Sequence, residues 1–462
     1  MLKKICAVLL IACISFAIPG VSRGETTKLT KWDLLTYWAP QVYQDVRQDK
    51  VLGYQYYAAG DQITKVNFDG DWDAGNSWDR IRDEQDQYGV LPAYAYCSYL
   101  ETETHHFLGY YYYHAMDDAV IKADRHENDV EYVYICVEKN NGYGNFVVMV
   151  TKRHRELYAY YENDVLFEKT DGNHPKIFIS SNGDVINSTL DFGAHGHSIY
   201  AYDPAKHNCS KYIGGDAIIY NVGPEAQYPV NINGQYEHAY TYKLLDIDEI
   251  WQRRFDIDTT DDATTTFETP YGKLNGRDEP AGGIFPWEKV YFYDPAAYFN
   301  EHYNVQSGTE YIVNPFTEEQ DFLFDKEFGG EGGCPFCHMT SIDLDSRLSA
   351  FTIWTGERVD GLELRYKDGT VLSNGDVCTE QTLSLQDNEY IQQVYVCKGR
   401  AKGSERIFYI EVTTNRGRSI SGGTKTNNSK TFTAPEGYCI IGFLGRAGDE
   451  LDRIGPIYQK MK

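Results

Sequence analysis

Runs of aromatic and β-branched residues, separated by Gly, Asn and Asp, recur along most of the chain. Such residues fit the pleated surface of a β-sheet, and the separating residues favour turns. The clearest runs are residues 110–113, 130–137, 145–150 and 157–161. Helical periodicity is scarce, and only short helices are predicted, near residues 30–38 and 247–255. The sequence therefore predicts an all-β protein, in which the 39 tyrosines lie mainly on half-buried strand faces.

The length of 462 residues favours two or three domains. A polar run of Asp and Thr at residues 256–266 reads as a loop, and residues 329–333 are rich in glycine. These changes in composition predict a domain boundary between residues 310 and 325. One β-rich domain is expected at 25–320 and a second domain at 326–462.

The N-terminus has the pattern of a secretory signal peptide. Lys3 and Lys4 precede an almost wholly apolar run at residues 5–17, and small residues follow up to Gly24. Residues 1–24 are therefore predicted to be removed and the protein to be secreted. The alternative is a lipoprotein anchored through Cys13, which ends a sequence resembling a bacterial lipoprotein box. No later segment is apolar enough to span a membrane.

Net charge and cysteine content indicate which partners and which cellular compartment suit the protein. The chain carries 68 acidic and 43 basic residues, a net charge of −25, which argues against nucleic acid as a partner. Removal of the leader leaves eight of the ten cysteines, and an even number in an oxidising compartment predicts disulfides. These are Cys97, Cys136, Cys209, Cys334, Cys337, Cys378, Cys397 and Cys439.

An ordered series of motifs fills the C-terminal part. The glycine-rich opening at 329–336 is followed by motifs at 355–364, 366–369, 388–391, 407–417 and 440–455. The series resembles the jacalin-like lectin family over about residues 328–458. The resemblance implies a β-prism of three Greek-key sheets, without catalytic chemistry, that binds sugar on loops at one end.

The family's sugar loop is a glycine, three residues and an aspartate, matched here by Gly448 to Asp452. The Asp452 carboxylate can accept hydrogen bonds from adjacent sugar hydroxyls. The backbone amides of Asp449 and Glu450 are expected to donate to the same sugar, together with the amide of Gly330 in the glycine-rich opening. The alternative is that Asp452 caps a turn. The acids Asp449 and Glu450, where family members often carry aromatic or small residues, disfavour anionic sugars.

Residues 334–338, Cys-Pro-Phe-Cys-His, also fit the attachment pattern of a c-type haem. The motif coincides with the glycine-rich opening of the lectin family, which already accounts for the local sequence. A disulfide that involves Cys334 or Cys337 is therefore favoured over haem.

The N-terminal domain carries two weaker resemblances. Blocks at residues 66–73, 91–94, 102–105 and 193–197 resemble a family of secreted proteins described as vacuolar protein sorting-associated, sixty-two type. Residues 109–118 and 125–131 resemble the necrosis-inducing, ethylene-inducing proteins, which are β-sandwich cytolysins with a divalent-metal site. The resemblance implies a β-sandwich here as well.

The metal pattern of that second family is His-x-x-Asp-x-Glu, matched by His126, Asp129 and Glu131, with Asp118 as the upstream acid and Asp117 as its alternative. Arg125 and Val130 replace the glycine and tryptophan of the family.

The residues suit this chemistry by themselves. Asp129 and Glu131 share one face of a strand, and carboxylates with an imidazole suit Ca²⁺, Mg²⁺ or Mn²⁺. His197, next but one to His195, is expected to complete the site. The alternatives are that the two histidines form a second site or have a structural role. The alternative is an acidic strand end with a surface histidine.

Together these patterns predict a secreted carbohydrate-binding protein. The lectin domain would target a metal-binding β-sandwich to surface glycans or membrane glycolipids, as a cytolytic or necrosis-inducing-like effector. One alternative is a metal-dependent hydrolase with Glu131 and His197 as an acid/base pair. Another is a non-catalytic adhesion or structural protein. Because no nucleophile elbow, phosphate loop or zincin helix is present, binding is favoured over catalysis.

Overall fold

A computed structural model describes residues 29–461, except 49, 52–53, 119–124, 154–155, 182–184, 187–188, 191–195, 208–215, 254–266, 269–272, 275–284, 288, 317–321, 326 and 344–345. The predicted leader, the polar run at 256–266, His195 and Cys209 lie outside the described residues.

The helices are short, and strands dominate the described residues. They are α1 (Lys31–Trp38), α2 (Ala58–Asp61), α3 (Ser77–Asp83), α4 (Gln85–Tyr88), α5 (Asp248–Trp251), α6 (Val290–Tyr293) and α7 (Pro295–His302). Helix α1 begins after Thr30, whose hydroxyl accepts a hydrogen bond from the Asp33 amide at 3.2 Å. Both predicted helices are confirmed, the second over four residues only. None of the described helices has the length and apolar character needed to cross a membrane.

The described residues of the N-terminal part form one large sheet and three separate strand pairs. Its strands are β1 (Gln41–Val46), β2 (Lys50–Val51), β3 (Tyr54–Gln55), β4 (Tyr94–Thr102), β5 (His105–Asp117), β6 (His126–Glu138), β7 (Asn145–Arg153), β8 (Glu156–Tyr160), β9 (Phe167–Glu168), β10 (His174–Ile179), β11 (Val185–Ile186), β12 (Thr189–Leu190), β13 (Ile199–Ala201), β14 (Asp216–Val222), β15 (Ala239–Asp246), β16 (Phe267–Glu268), β17 (Lys273–Leu274) and β18 (Tyr311–Val313). The large sheet has the order β13-β10-β1-β14-β15-β4-β5-β6-β7-β8, with β9 added to β10 and β18 to β4, and the separate pairs are β2–β3, β11–β12 and β16–β17.

The two halves of this sheet share one apolar core. Val42 and Ile177 from β1 and β10 pack in the same cluster as Ile135 from β6. The Thr151 hydroxyl on β7 donates a hydrogen bond to the Ile199 carbonyl on β13 at 2.7 Å, although the two strands are far apart in sheet order. The sheet therefore curls until its halves face each other.

The tyrosines at 110–113 are fully buried rather than half-buried. Tyr110 and Tyr112 enter the core just described, whereas Tyr111 and Tyr113 enter a second core on the other face of β5, which includes residues of α3, α5, α6 and α7. Their buried hydroxyls need partners; for example, that of Tyr110 donates to the Leu35 carbonyl at 2.8 Å. Strand β5 is thus an interior strand covered on both sides.

The C-terminal part is a prism of three faces. Its strands are β19 (Phe322–Phe324), β20 (Phe328–Gly329), β21 (Cys334–Cys337), β22 (Leu348–Thr355), β23 (Val359–Tyr366), β24 (Val371–Gly375), β25 (Glu380–Ser384), β26 (Ile391–Ala401), β27 (Ser404–Thr414), β28 (Ser419–Gly423), β29 (Asn428–Thr433), β30 (Tyr438–Ala447) and β31 (Leu451–Lys460). The faces are β24-β23-β22-β25, β29-β26-β27-β28, and β21-β30-β31 with β19 and β20. The second and third meet at one pair, Ile391 and Ile440, and all three enclose a single apolar core.

The change of sheet falls between β18, which pairs with β4, and β19, which pairs with β31. The C-terminal sheet therefore begins before residue 326.

The disulfides expected for five of the cysteines are not formed. Unpaired thiols are found at Cys97, Cys136, Cys378, Cys397 and Cys439. Cys378 is exposed and the other four are buried. The buried four lie in strands and fill apolar space, as small hydrophobic side chains do.

Candidate functional site

The 448–452 loop comprises the tight turn between β30 and β31 and the first two residues of β31, at one end of the prism. The Gly448 amide donates to the Glu450 carbonyl at 3.0 Å, which closes the turn. Gly448 and Asp449 are exposed, whereas Glu450 and Asp452 are buried. The loop therefore presents its backbone at the tip and turns two of its three acids inward.

The glycine-rich segment, residues 329–333, lies against this loop as the sequence predicts. An added Cβ on Gly332 would lie 2.6 Å from Asp452 Oδ1, so glycine is needed for the close approach. The role predicted for the Gly330 amide is corrected, because this amide donates to the Asp452 carbonyl at 2.8 Å and is used within the protein.

Glu450 does not act as a free surface acid. Its carboxylate accepts two hydrogen bonds from Arg358, at 2.6 and 2.7 Å, and lies 2.9 Å from Arg406 Nη1. The hydrogen bonds from Arg358 lower the pKa of Glu450 to about 2. The added negative charge predicted at this position is thus neutralised inside the domain. Arg358 and Arg406 were missed because no local spacing links them to the loop.

Asp452 holds the feature best suited to a ligand. Its residue is 4% exposed and its Oδ1 has no hydrogen-bond partner among the described residues. The nearest cation is Arg406, whose Nε lies 3.7 Å away, and burial raises the pKa of Asp452. A buried acceptor without a donor is costly, so a hydroxyl group that donated to Oδ1 would be held strongly.

His338, the histidine of the haem-like motif, is used within the prism. Its Nε2 donates to Asn374 Oδ1 at 2.6 Å, and its Nδ1 accepts from the Phe443 amide at 3.1 Å. Burial lowers the pKa of His338 to about 4. The neutral ring of His338 therefore holds β21 and the short 3-10 helix at residues 338–340 against β30.

In the N-terminal domain, His197 lies between two carboxylates. Its Nδ1 is 2.9 Å from Asp129 Oδ2 and its Nε2 is 3.2 Å from Asp61 Oδ1. Burial alone would lower the pKa of His197, but these two hydrogen bonds outweigh it and hold the pKa well above its usual value. His114 stacks on this ring at 3.7 Å and is kept neutral by burial and by the charge of His197, which lower its pKa.

Glu131 has a cation of its own. Lys152 Nζ donates to Glu131 Oε1 at 3.1 Å, and burial raises the pKa of Glu131 to about 8. The second oxygen, Oε2, is buried and has no hydrogen-bond partner among the described residues.

His126 lies beside the alternative acid. Its Nε2 is 3.4 Å from Asp117 Oδ2, and its Nδ1 donates to the Asn128 carbonyl at 2.8 Å. Asp118 is buried next to them. Gly196 is required here, since a Cβ would lie 1.8 Å from Asp117 Oδ2.

The five predicted ligands thus lie at one end of β5 and β6. However, no three of these described residues bring ligand atoms within 4.8 Å of one another. Lys152 already donates to one oxygen of Glu131, and the protonated His197 already neutralises Asp129. Asp61 and Lys152 were missed, because their contacts with the motif are tertiary. The residues present fit a divalent ion poorly, and metal binding at this cluster stays a prediction.

Residues 326–457 match the family model of the jacalin-like lectin domain. The C-terminal part of the chain is therefore a jacalin-like lectin domain with a β-prism fold.

Individual proteins are similar over limited parts of the chain. A protein named secreted RxLR effector protein 19, from Plasmopara viticola, is 25% identical over 140 residues, which are 28% of this chain and 77% of that protein. AcmJRL, a mannose-binding jacalin-related lectin from Ananas comosus, is 20% identical, with 30% of this chain and 99% of that chain covered and a TM-score of 0.27. Wild-type Malaysian banana lectin is 24% identical, with 30% and 98% covered and a TM-score of 0.27.

Proposed function

We propose that this protein is a secreted carbohydrate-binding protein that holds glycans at the 448–452 loop of its lectin domain. The observation that carries the proposal is the buried Asp452 carboxylate, whose Oδ1 lacks a partner and lies beside the glycine-rich segment. The match to the jacalin-like lectin domain supports it independently.

The chemistry favours neutral sugars. Asp452 Oδ1 accepts a hydrogen bond from a sugar hydroxyl, and the backbone amides at the exposed tip of the loop donate to neighbouring hydroxyls. Arg358 and Arg406 are already engaged by Glu450, and Asp449 and Asp452 remain as the acids of the loop. An acidic sugar would be repelled.

A glycan array probed with the full secreted chain tests this proposal. Asp452→Asn keeps the size of the side chain but removes its charge, and we expect binding to fall at least about tenfold, or ~1.4 kcal/mol. Asp449→Asn is the matched control, because it leaves the exposed backbone amide in place and should keep most of the binding. Equal binding by the wild type and Asp452→Asn would overturn the proposal.

Secretion is part of the same proposal. It is supported by the basic and apolar pattern of residues 1–24 and, weakly, by the similarity to a protein named as a secreted effector. N-terminal sequencing of protein from the medium should begin after Gly24. Recovery of the chain in a lipid-modified form at Cys13 would favour the anchored alternative instead.

For the N-terminal domain we propose a β-sandwich-like binding module that the lectin carries to glycan-bearing membranes. Binding is favoured over hydrolysis, because Glu131 and His197 are engaged with Lys152, Asp61 and Asp129 and are not poised as an acid/base pair. Leakage of dye from glycolipid vesicles, with and without a chelator, tests the cytolytic role and its dependence on Ca²⁺ or Mg²⁺. Vesicles that stay intact under both conditions would leave the module with adhesion as its role.

A further inference from the structure

A second group of ligand-type side chains lies on the β9–β10 hairpin, away from the cluster at the end of β5 and β6. Glu168 and His174 are cross-strand partners, and Asp171 lies in the turn between them. One ligand atom from each of the three lies within 4.8 Å of the other two. Among the described residues, this is the one group of three or more His, Cys, Asp or Glu side chains that converges in this way.

The hydrogen bonds of His174 define which nitrogen is available. His174 Nδ1 lies 2.7 Å from the Ala39 carbonyl, so this nitrogen must carry the proton and donate it. In the neutral ring, Nε2 then offers a lone pair 3.1 Å from Asp171 Oδ1, which is also an acceptor. Two facing acceptors require a cation or an extra proton between them. Metal-binding histidines commonly have this arrangement, with the other ring nitrogen donating to a backbone carbonyl.

The spacing also suits a metal. Two ligands that each lie ~2.1 Å from an ion at a right angle are ~3.0 Å apart, close to the observed 3.1 Å between Nε2 and Oδ1. Glu168 is oriented by the amide of Thr170, which donates to its Oε1 at 3.0 Å. Gly172 keeps the histidine accessible, because a Cβ there would lie 2.5 Å from His174 Nε2.

A further polar side chain lines the same cavity. Gln41 lines a cavity of about 390 Å³ together with Glu168, Asp171 and His174. The Gln41 amide nitrogen donates to Asn221 Oδ1 at 2.7 Å, which directs its Oε1 away from that partner. Gln41 is 9% exposed, and its Oε1 is buried without a hydrogen-bond partner among the described residues. A buried amide oxygen that lacks a donor, on a side chain that lines a cavity with other acceptors, is suited to a cation.

We propose that Glu168, Asp171 and His174, with Gln41 as an additional oxygen ligand, bind one divalent transition-metal ion such as Zn²⁺ or Mn²⁺. One imidazole nitrogen among oxygen ligands favours these ions over Ca²⁺ and Mg²⁺, which prefer oxygen alone. The Asp171 side chain is 77% exposed, so the ion can enter from solvent. An ion here would fasten the β9–β10 turn to the end of α1, where Ala39 holds His174. The site is independent of the sugar loop.

Titration of metal-free full-length protein with Zn²⁺ and Mn²⁺, by calorimetry, tests the proposal. The wild type should bind one ion at this site, Asp171→Asn should bind at least about tenfold more weakly, and His174→Gln should show no binding there. Glu162→Gln, an exposed acid nearby in the chain, is the matched control and should bind like the wild type. Because Asp171 is exposed, its substitution should leave the fold intact, which circular dichroism verifies.

Co²⁺ provides a second readout, because its visible absorption reports ligation by a histidine. We expect the Co²⁺ spectrum to be lost in His174→Gln and kept in Glu131→Gln, which alters the other cluster. Absence of binding by the wild type would overturn the proposal, as would equal affinities of the wild type and Asp171→Asn. Loss of the ion in Glu131→Gln alone would assign it to the β5–β6 cluster instead.

Discussion

The guanidinium of Arg358 donates two hydrogen bonds, of 2.6 and 2.7 Å, to the carboxylate of Glu450 at the end of the prism. The two residues are 92 positions apart and come from different faces of the prism. Paired donors of this kind fix the direction of a carboxylate. The pair therefore holds the 448–452 loop in one conformation and removes from its surface a charge that the sequence alone places there.

Arg358→Gln should loosen the loop without unfolding the domain. Arg406 still faces Glu450, so we expect a loss of only about 1–2 kcal/mol in the free energy of unfolding. The glycan affinity should fall by a larger fraction of its wild-type value than the stability does. Urea denaturation and a glycan titration measure the two effects. Arg365→Gln, which removes an exposed arginine paired with Glu363, is the control and should change neither. Wild-type glycan affinity in Arg358→Gln would contradict this role.

Gly332→Ala should weaken glycan binding through a steric effect alone. The new Cβ would lie 2.6 Å from Asp452 Oδ1 and push the carboxylate away from its ligand. We expect at least a tenfold loss of affinity, or ~1.4 kcal/mol, with unchanged circular dichroism. In Gly142→Ala, the control, the nearest atom to the added Cβ is 3.5 Å away, so binding should persist. Retention of binding by Gly332→Ala would mean that the ligand does not contact Asp452.

The stability of the N-terminal domain should fall as the pH rises from about 7 to 8.5. In this range the unfolded chain has a neutral His197 and an ionised Glu131. The folded chain keeps a proton on His197, because the pKa of His197 is raised well above its usual value, and on much of Glu131, whose pKa is about 8. The folded chain therefore binds more protons than the unfolded chain. For each extra proton bound in the folded state, the free energy of unfolding falls by about 1.4 kcal/mol as the pH rises by one unit.

His197→Asn should flatten this dependence, which urea denaturation at several pH values measures. Asn is chosen because it tolerates the positive φ of 42° at this position. His302→Asn, at an exposed histidine, is the control and should keep the wild-type slope. Equal slopes for the wild type and His197→Asn would show that the histidine is not protonated in the folded state.

Sequence patterns predicted the parts of this molecule that depend on local order. The strands over residues 110–161 follow from runs of strand-forming residues, and α1 lies within the helix predicted near residues 30–38. The lectin domain follows from motifs in a fixed order along the chain. Each of these signals lies within a short stretch of sequence.

The partners of the site residues could not be predicted in this way. Arg358 and Arg406 reach Glu450, and Asp61 reaches His197, only because the chain is folded. From the sequence, the motif at 126–131 therefore resembled a set of metal ligands without other partners. In the folded protein, Lys152 and His197 are the cations that contact it. Four consecutive tyrosines likewise do not alternate with polar residues, so the burial of both faces of β5 follows from its place in the sheet.

Thiol labelling should distinguish Cys378 from the buried cysteines of the folded protein. Cys378 is exposed, whereas burial raises the pKa of Cys97, Cys136 and Cys439 and keeps their thiolates scarce. A maleimide added at neutral pH should therefore react with Cys378 within minutes, and with those three only after denaturation. Cys378→Ser should remove this fast reaction, as mass spectrometry of the labelled peptide will show. A disulfide-linked peptide that contains Cys378 would contradict the structure and restore the pairing that the even number of cysteines predicts.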